Sequence, residues 1–489
     1  MRSNVIFNGF EYASDIGVLE RAFANIPLGY CLHMNTPEER HLMVDVQTRE
    51  YLSAHVLKWA NYNVDWNTLH PLDEAVVERM RSCESVFLGM LARWDKRRTL
   101  SLERRQRLYL RHLRFWNDVL ESRKIHLFLS KNIPHEGHDY ILYCLCKERG
   151  IPTLMFHHIN SIRDTITLIE DWEEPSREIV GVMDTIAKQY ANCDIPLSEK
   201  FEDYFQTQCK HREEAGTTQN EDPWYLDSLN RGMKANYFPK LSLSKMFSKR
   251  FWIEILSGFR RSRHELALFR FYNAHTVVPD LKRKFVYFAL QYQPEMTTCP
   301  MGGVFNNQLL IAALLSATLP DDVCIYVKEH PAQSEECRSM SFYQDLLAMR
   351  RVYLVPREYN TFHLVRDCVA VATATGTVVL EALFAEKPVF MFGHRFYQYA
   401  PGVFPIRTKE DCQRAVDAIF KKGMKPEMRD VRLFLKALEK ISFEGCIDLF
   451  YKPVTRLKEE ENMQSVSEAL RRKLRAYFPV PDLGHSRLH

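Results

Sequence analysis

The sequence predicts an α/β protein with two parallel-sheet domains, a helical insert and a helical C-terminal tail. Three observations carry this expectation. From residue 285 to about 425, short apolar strands alternate with helices, the rhythm of βαβ units whose sheet is covered on both faces. The same rhythm recurs over 124–158. Between these stretches, over roughly 173–280, and again after 426, helical periodicity continues without convincing strands. The expected domains are therefore 1–172, 173–280, 281–425 and 426–489, and a chain of 489 residues is too long for one ordinary core.

In chain order, "SLERRQRLYLRHLRFWNDVLESR" reads as a long basic amphipathic helix and "KIHLFLS" as a buried strand. "GHDYILYCLCKERG" follows as a helix ending at a glycine, and "IPTLMFHH" as the next strand. "FVYFALQYQ", "VCIYVK", "RVYLVP", "VAVAT", "PVFMFG" and "VFPI" are the strands of the later sheet, separated by helices such as "FNNQLLIAALLSATL" and "TVVLEALFAE". Such a sheet binds ligands beyond the carboxyl ends of its strands. The "QYQPE", "KEHPAQ", "TATGT" and "GHRFY" loops fall at that edge.

Composition narrows the function classes. A formal charge of +4 argues against a dedicated DNA binder but permits local basic patches. Twelve cysteines occur without a single CxxC, a poor metal set and one suited to a reducing cytosol. The N-terminus meets acidic residues too early for a signal peptide, and no apolar run approaches the roughly 20 residues that span a bilayer. The expected location is the cytoplasm or the inner membrane surface. The aromatic and basic run at 246–272 reads first as a solvated helix face with buried aromatics, and could also rest on an anionic membrane leaflet. Dinucleotide, P-loop, zinc-hydrolase, serine-esterase and D-x-D metal signatures do not occur.

Four places could carry chemistry. Lys328 ends a strand and His330–Pro331 opens the loop; a histidine held extended by proline suits a phosphate oxygen, with Lys328 adding charge. The same residues also read as an ordinary loop. Thr373, Thr375, Gly376 and Thr377 lie where a strand turns into a helix. They suit an anion approached by backbone N–H groups, although capping alone requires one hydroxyl. Glu381 follows Thr377 by one turn and is placed for ribose hydroxyls or for solvent. His135, Glu136, His138 and Asp139 crowd one strand-to-helix loop, as a general base with its neighbours or as a capped helix start. His157 and His158 end the next strand.

"YVKEHPAQ" followed by "TATGTVVLEALFAEKPVFMFGHRFY" resembles the capsule polysaccharide biosynthesis family. "ALQYQPEMTTCPMGGVFNNQ" and "PHEGHDYILYCLCKERGIPTLMFHH" look like stretches of the same group. The resemblance implies a GT-B fold, two Rossmann-like domains facing a cleft, and a glycosyltransferase akin to Kdo transferases and sialyltransferases. It implies a nucleotide-sugar co-substrate, CMP-linked by kinship, with no other cofactor and no metal. A glycan or lipid-linked acceptor would be the partner, with no nucleic acid. Lys328, His330, Thr373, Thr375, Gly376, Thr377 and Glu381 would then hold the donor. Polysialyltransferases carry an acidic pair before glycine where this chain reads His135–Glu136–Gly137, which favours Glu136 as base beside His135. The alternatives are a sugar-nucleotide epimerase of the same fold and a non-catalytic subunit of a synthesis or export complex.

Overall fold

The computed structural model describes residues 2–35, 42–93, 95, 100–213, 263–333 and 338–478. The run read at 246–272 lies outside them as far as residue 262. The chain forms two compact units, Met1–Ser176 with Lys440–His489, and Arg177–Glu439.

The first unit is a seven-stranded sheet in the order β13-β6-β5-β4-β1-β2-β3. Its strands are β1 (Ser3–Asn8), β2 (Leu28–Met34), β3 (Val46–Leu52), β4 (Leu127–Ser130), β5 (Thr153–His158), β6 (Thr165–Ile169) and β13 (Phe443–Glu444). β3-β2-β1-β4-β5 are parallel, and β6 pairs antiparallel with β5 and with β13. This parallel order, which reverses direction between β1 and β4, makes the unit Rossmann-like. Val5, Phe7, Leu127 and Leu129 are fully buried beneath the helix Ala13–Phe23. The late helix Glu459–Leu474 contributes Val466 and Leu470 to the same core, so the C-terminal segment completes the unit that the N-terminus begins. The "SFEG" stretch read as helix is instead the edge strand β13, where Phe443 pairs with Ile166.

The second unit is all parallel, ordered β12-β11-β10-β7-β8-β9. β7 is Phe285–Ala289, β8 Cys324–Lys328, β9 Val352–Val355, β10 Ala370–Thr373, β11 Val389–Met391 and β12 Val403–Pro405. Val286, Phe288, Ile325, Val327, Ala372 and Phe390 fill its core, and burial on both faces explains why these strands read as unbroken apolar runs. The order reverses between β7 and β10, so the switch point, where such sheets open a crevice, lies at Leu290–Gln291 and Ala374–Gly376. The helices Ile179–Gln189 and Glu199–Glu213 belong to this unit. Arg432 on the helix Met428–Ile441 pairs with Glu202 at 2.6 Å. Among the described residues no helix is long and apolar enough to cross a membrane.

Candidate functional site at the switch point of the second unit

The three strands nearest the switch point deliver polar residues to one edge. β7 runs into Gln291, and the Gln291 carboxamide oxygen accepts from the backbone N–H of Thr375 at 2.9 Å. The Thr375 hydroxyl lies 2.8 Å from that oxygen and 2.5 Å from the Thr297 carbonyl, and Tyr397 donates to the Thr375 carbonyl. Every polar group of Thr375 is thus engaged within the protein. The Thr373 hydroxyl is likewise buried and accepts from the Gly376 N–H at 3.2 Å. Thr373 and Thr375 therefore brace the turn from inside. Gly376 is required there, because a Cβ would stand 2.8 Å from Thr373 Oγ1 and 3.0 Å from Gln291 Nε2. Thr377 enters the helix Val378–Phe384 with helical backbone angles and without a side-chain cap.

The end of β8 and the loop after it supply three consecutive residues with different fates. Lys328 is buried and donates to Thr361 Oγ1 at 2.7 Å; burial lowers its pKa, and Glu381 pulls it back up. Burial pushes the Glu381 carboxyl up to about 7 against the opposing pull of Lys328. In both groups desolvation outweighs their mutual attraction. Glu381 borders a cavity of about 290 Å³ with Phe362, Arg366, Phe384 and Lys387 among its walls.

Glu329 points to the other face and forms a fully buried ion pair with Arg338 Nε at 2.7 Å. Its carboxylate also accepts from Tyr343 at 2.7 Å and from the His330 N–H at 2.8 Å. Arg338 donates onward to the Gln291 carbonyl at 3.0 Å and to the Gln293 side chain. His330 is half-buried, its Nδ1 accepting from the Ala332 N–H at 3.2 Å. Burial lowers its pKa, and its ring lies 5.7 Å from that of Tyr292.

His330 and the threonine turn are thus joined through Glu329, Arg338 and Gln291, none of which was singled out from the sequence. The available signal was the pair of glutamines spaced by two in "QYQPE". The Gln308 side chain clasps the Gln291 backbone at both ends, at 2.8 and 3.0 Å.

His135 and Glu136 lie in the first unit, between β4 and the helix His138–Glu148. Asp139 accepts from the backbone N–H groups of His135, Glu136 and Tyr140 at 3.1, 2.8 and 2.7 Å. It is the loop's structural carboxylate. Gly137 starts the helix at φ +92°, a conformation natural only to glycine. Glu136 remains exposed, its Oε1 3.5 Å from His135 Nε2, while His135 Nδ1 is 2.6 Å from the Ile133 carbonyl. His138 is buried, and burial lowers its pKa. The Asp448 N–H donates to His158 Nε2 at 3.2 Å, and burial lowers the His158 pKa to about 4; His157 is buried.

Residues 185–410 match the family described as "Capsule polysaccharide biosynthesis protein", so the family resemblance holds over that segment. It lies inside the second unit and includes Lys328, His330, the 373–377 turn and Glu381. Curated proteins give no match. Among solved structures, the chain is similar to KpsC of Thermosulfurimonas dismutans, a β-Kdo 2,7 transferase. The two are 11% identical over 95% of this chain and 99% of that one, with a TM-score of 0.34. It is similar also to UDP-GlcNAc 2-epimerase of Methanocaldococcus jannaschii, at 11% identity over 90% and 99% of the chains and a TM-score of 0.26.

Two predictions follow from this geometry. Arg338→Met leaves Glu329 charged and unpaired in the core, and should cost about 3–5 kcal/mol in urea denaturation. Adding Glu329→Gln should recover part of that loss; equal losses in both variants would remove the pair from this role. The Glu381 carboxyl has its ordinary value when unfolded and about 7 when folded. Its contribution to stability is therefore full below its unfolded pKa and lost as pH rises through about 7. Between the ordinary carboxylate value and about pH 7, Glu381→Gln should remove the corresponding part of the fall in Tm. An unchanged Tm–pH profile would contradict this.

Proposed function

We propose that the protein is a glycosyltransferase of capsule or surface polysaccharide synthesis, with a nucleotide-activated sugar as donor and a glycan or glycolipid as acceptor. The observation that carries this reading is the braced switch point, where the loops after β7, β8 and β10 meet through Gln291, Glu329 and Thr375. The family match over 185–410 supports it.

In this reading the donor lies across the carboxyl edge of the second unit's sheet. His330 and the backbone at Thr377 meet the phosphate, and the helix start favours its negative charge. Thr373, Thr375 and Gly376 hold the turn in shape for that approach. Glu381 accepts from ribose hydroxyls, which would supply the hydrogen bonds its desolvated carboxyl seeks. Lys328 sets the local charge from beneath. Glu136 takes the proton from the acceptor hydroxyl as the acceptor oxygen bonds to the sugar's anomeric carbon. The bond from that carbon to the nucleotide phosphate breaks, and the phosphate leaves with the electron pair. His135 orients Glu136. The kinship with sialyltransferases favours a CMP-linked donor.

A thermal-shift panel of CMP, CDP, UDP and GDP tests the donor assignment. A selective rise in Tm with a cytidine nucleotide is expected, corresponding to about 2.7 kcal/mol at a hundredfold excess over Kd. Equal responses, or none, would overturn the cytidine assignment. His330→Ala should abolish acceptor-dependent release of free nucleotide while the unliganded Tm is kept; near-normal turnover would sink the phosphate contact. For Glu136→Gln, transfer should be lost and the nucleotide-induced rise in Tm retained. If His135→Ala alone gave that pattern, the base would be His135.

A further inference from the structure

The outer face of the helix Leu102–Arg123, in the first unit, plays no part in the function proposed above. Arg107, Leu110, Arg111 and Arg114 line a groove of about 830 Å³ there, with Trp66 and Leu72 opposite. Arg111 lies over the Trp66 ring at 4.3 Å and donates to the Ala60 carbonyl at 3.0 Å. Arg114 is tied to the carbonyls of Trp66 and Leu69 at 2.7 and 2.8 Å. These two arginines build the wall. Arg107 is exposed and makes no ion pair or side-chain hydrogen bond among the described residues. Leu110 is 41% exposed and Leu102, on the same helix, 63%. The groove thus sets three arginines against one carboxylate, Glu103, beside apolar and aromatic surface.

We propose that this groove docks an anionic phospholipid of a membrane surface, with Leu72, Leu110 and Trp66 against its acyl region and Arg107 at its phosphate. Charge complementarity requires an anion, and the apolar lining requires that the anion carry hydrocarbon. Tryptophan beside arginine is the pairing suited to the boundary between headgroup and chain. A soluble acidic glycan would satisfy the arginines and leave the leucines in water. The inference goes beyond the transfer reaction and does not depend on which nucleotide the second unit holds.

The test is sedimentation of the full-length protein with phosphatidylcholine vesicles, alone or mixed with phosphatidylglycerol. Binding should require phosphatidylglycerol and weaken with added salt. Arg107→Glu should lower the partition coefficient at least about fivefold, and Leu110→Gln should lower it as well. Lys284→Glu, an exposed charge change on the other unit, should leave it unchanged. Equal binding to both lipids, or partitioning unaffected by Arg107→Glu and Leu110→Gln, overturns the proposal. Displacement by dextran sulfate with no loss in Leu110→Gln also overturns it, and assigns the groove to an acidic polymer. The nucleotide-induced rise in Tm, measured on the same variants, reports separately on the second unit.

Discussion

The Glu329–Arg338 pair is the constraint on which the second unit's ligand edge depends. Both side chains are fully buried, so each ion must be compensated within the protein. Glu329 receives Arg338, Tyr343 and the His330 N–H, and Arg338 passes its remaining donors to Gln291 and Gln293. Two loops from adjacent strands are thereby fixed to one charge pair. An apolar pair of the same volume could fill the space but could not direct hydrogen bonds to these backbone positions. The pair thus contributes loop geometry, at a desolvation cost that its hydrogen bonds offset.

The first unit solves the same problem with different residues. At the carboxyl ends of β1 and β4, Asp15 receives Lys131 at 2.6 Å, and Lys452 stands at 3.5 Å. Both ammonium groups lie over the Tyr12 ring, at 5.0 and 4.8 Å. Lys452 arrives with the returning C-terminal segment, so the edge of this sheet is complete only once that segment has folded back. Each Rossmann-like unit carries a buried or nearly buried ion pair at the edge where its loops must be held.

Much of the second sheet was legible in the sequence because strands buried on both faces must be apolar throughout. "FVYFA", "CIYVK" and "VFM" have no solvent side. One early strand of the first sheet was not legible for the opposite reason. β3, "VQTREYL", is an edge strand whose first half is exposed, and its polar residues mask it. β13 has two residues and exists because β6 offers it a free edge, a cause that no local pattern contains. In the site, residue types at the right edge were legible and their orientations were not. Alternation from Lys328, the last residue of β8, to Glu329 in the loop puts Glu329 in the core with Arg338 while Lys328 interacts with Glu381, and "KEHP" alone cannot say which acid or base points where.

That alternation changes what the threonine-rich turn means. Hydroxyls at a strand-to-helix junction look like donors for an anion, yet Thr373 and Thr375 are turned inward and engaged with Gly376, Gln291 and Thr297. A turn held by its own side chains loses little conformational freedom when a ligand arrives, so less binding free energy is spent on ordering it. In the proposed reading the groups that meet the donor are the His330 ring, the backbone at Thr377 and a Glu381 carboxyl held near 7. That carboxyl is partly exposed at the cavity it borders, so hydroxyl donors from a ribose could reach it there. The selectivity of such a site would rest on hydrogen-bond complementarity at Glu381 and on charge at His330, with the threonines acting through the shape they impose.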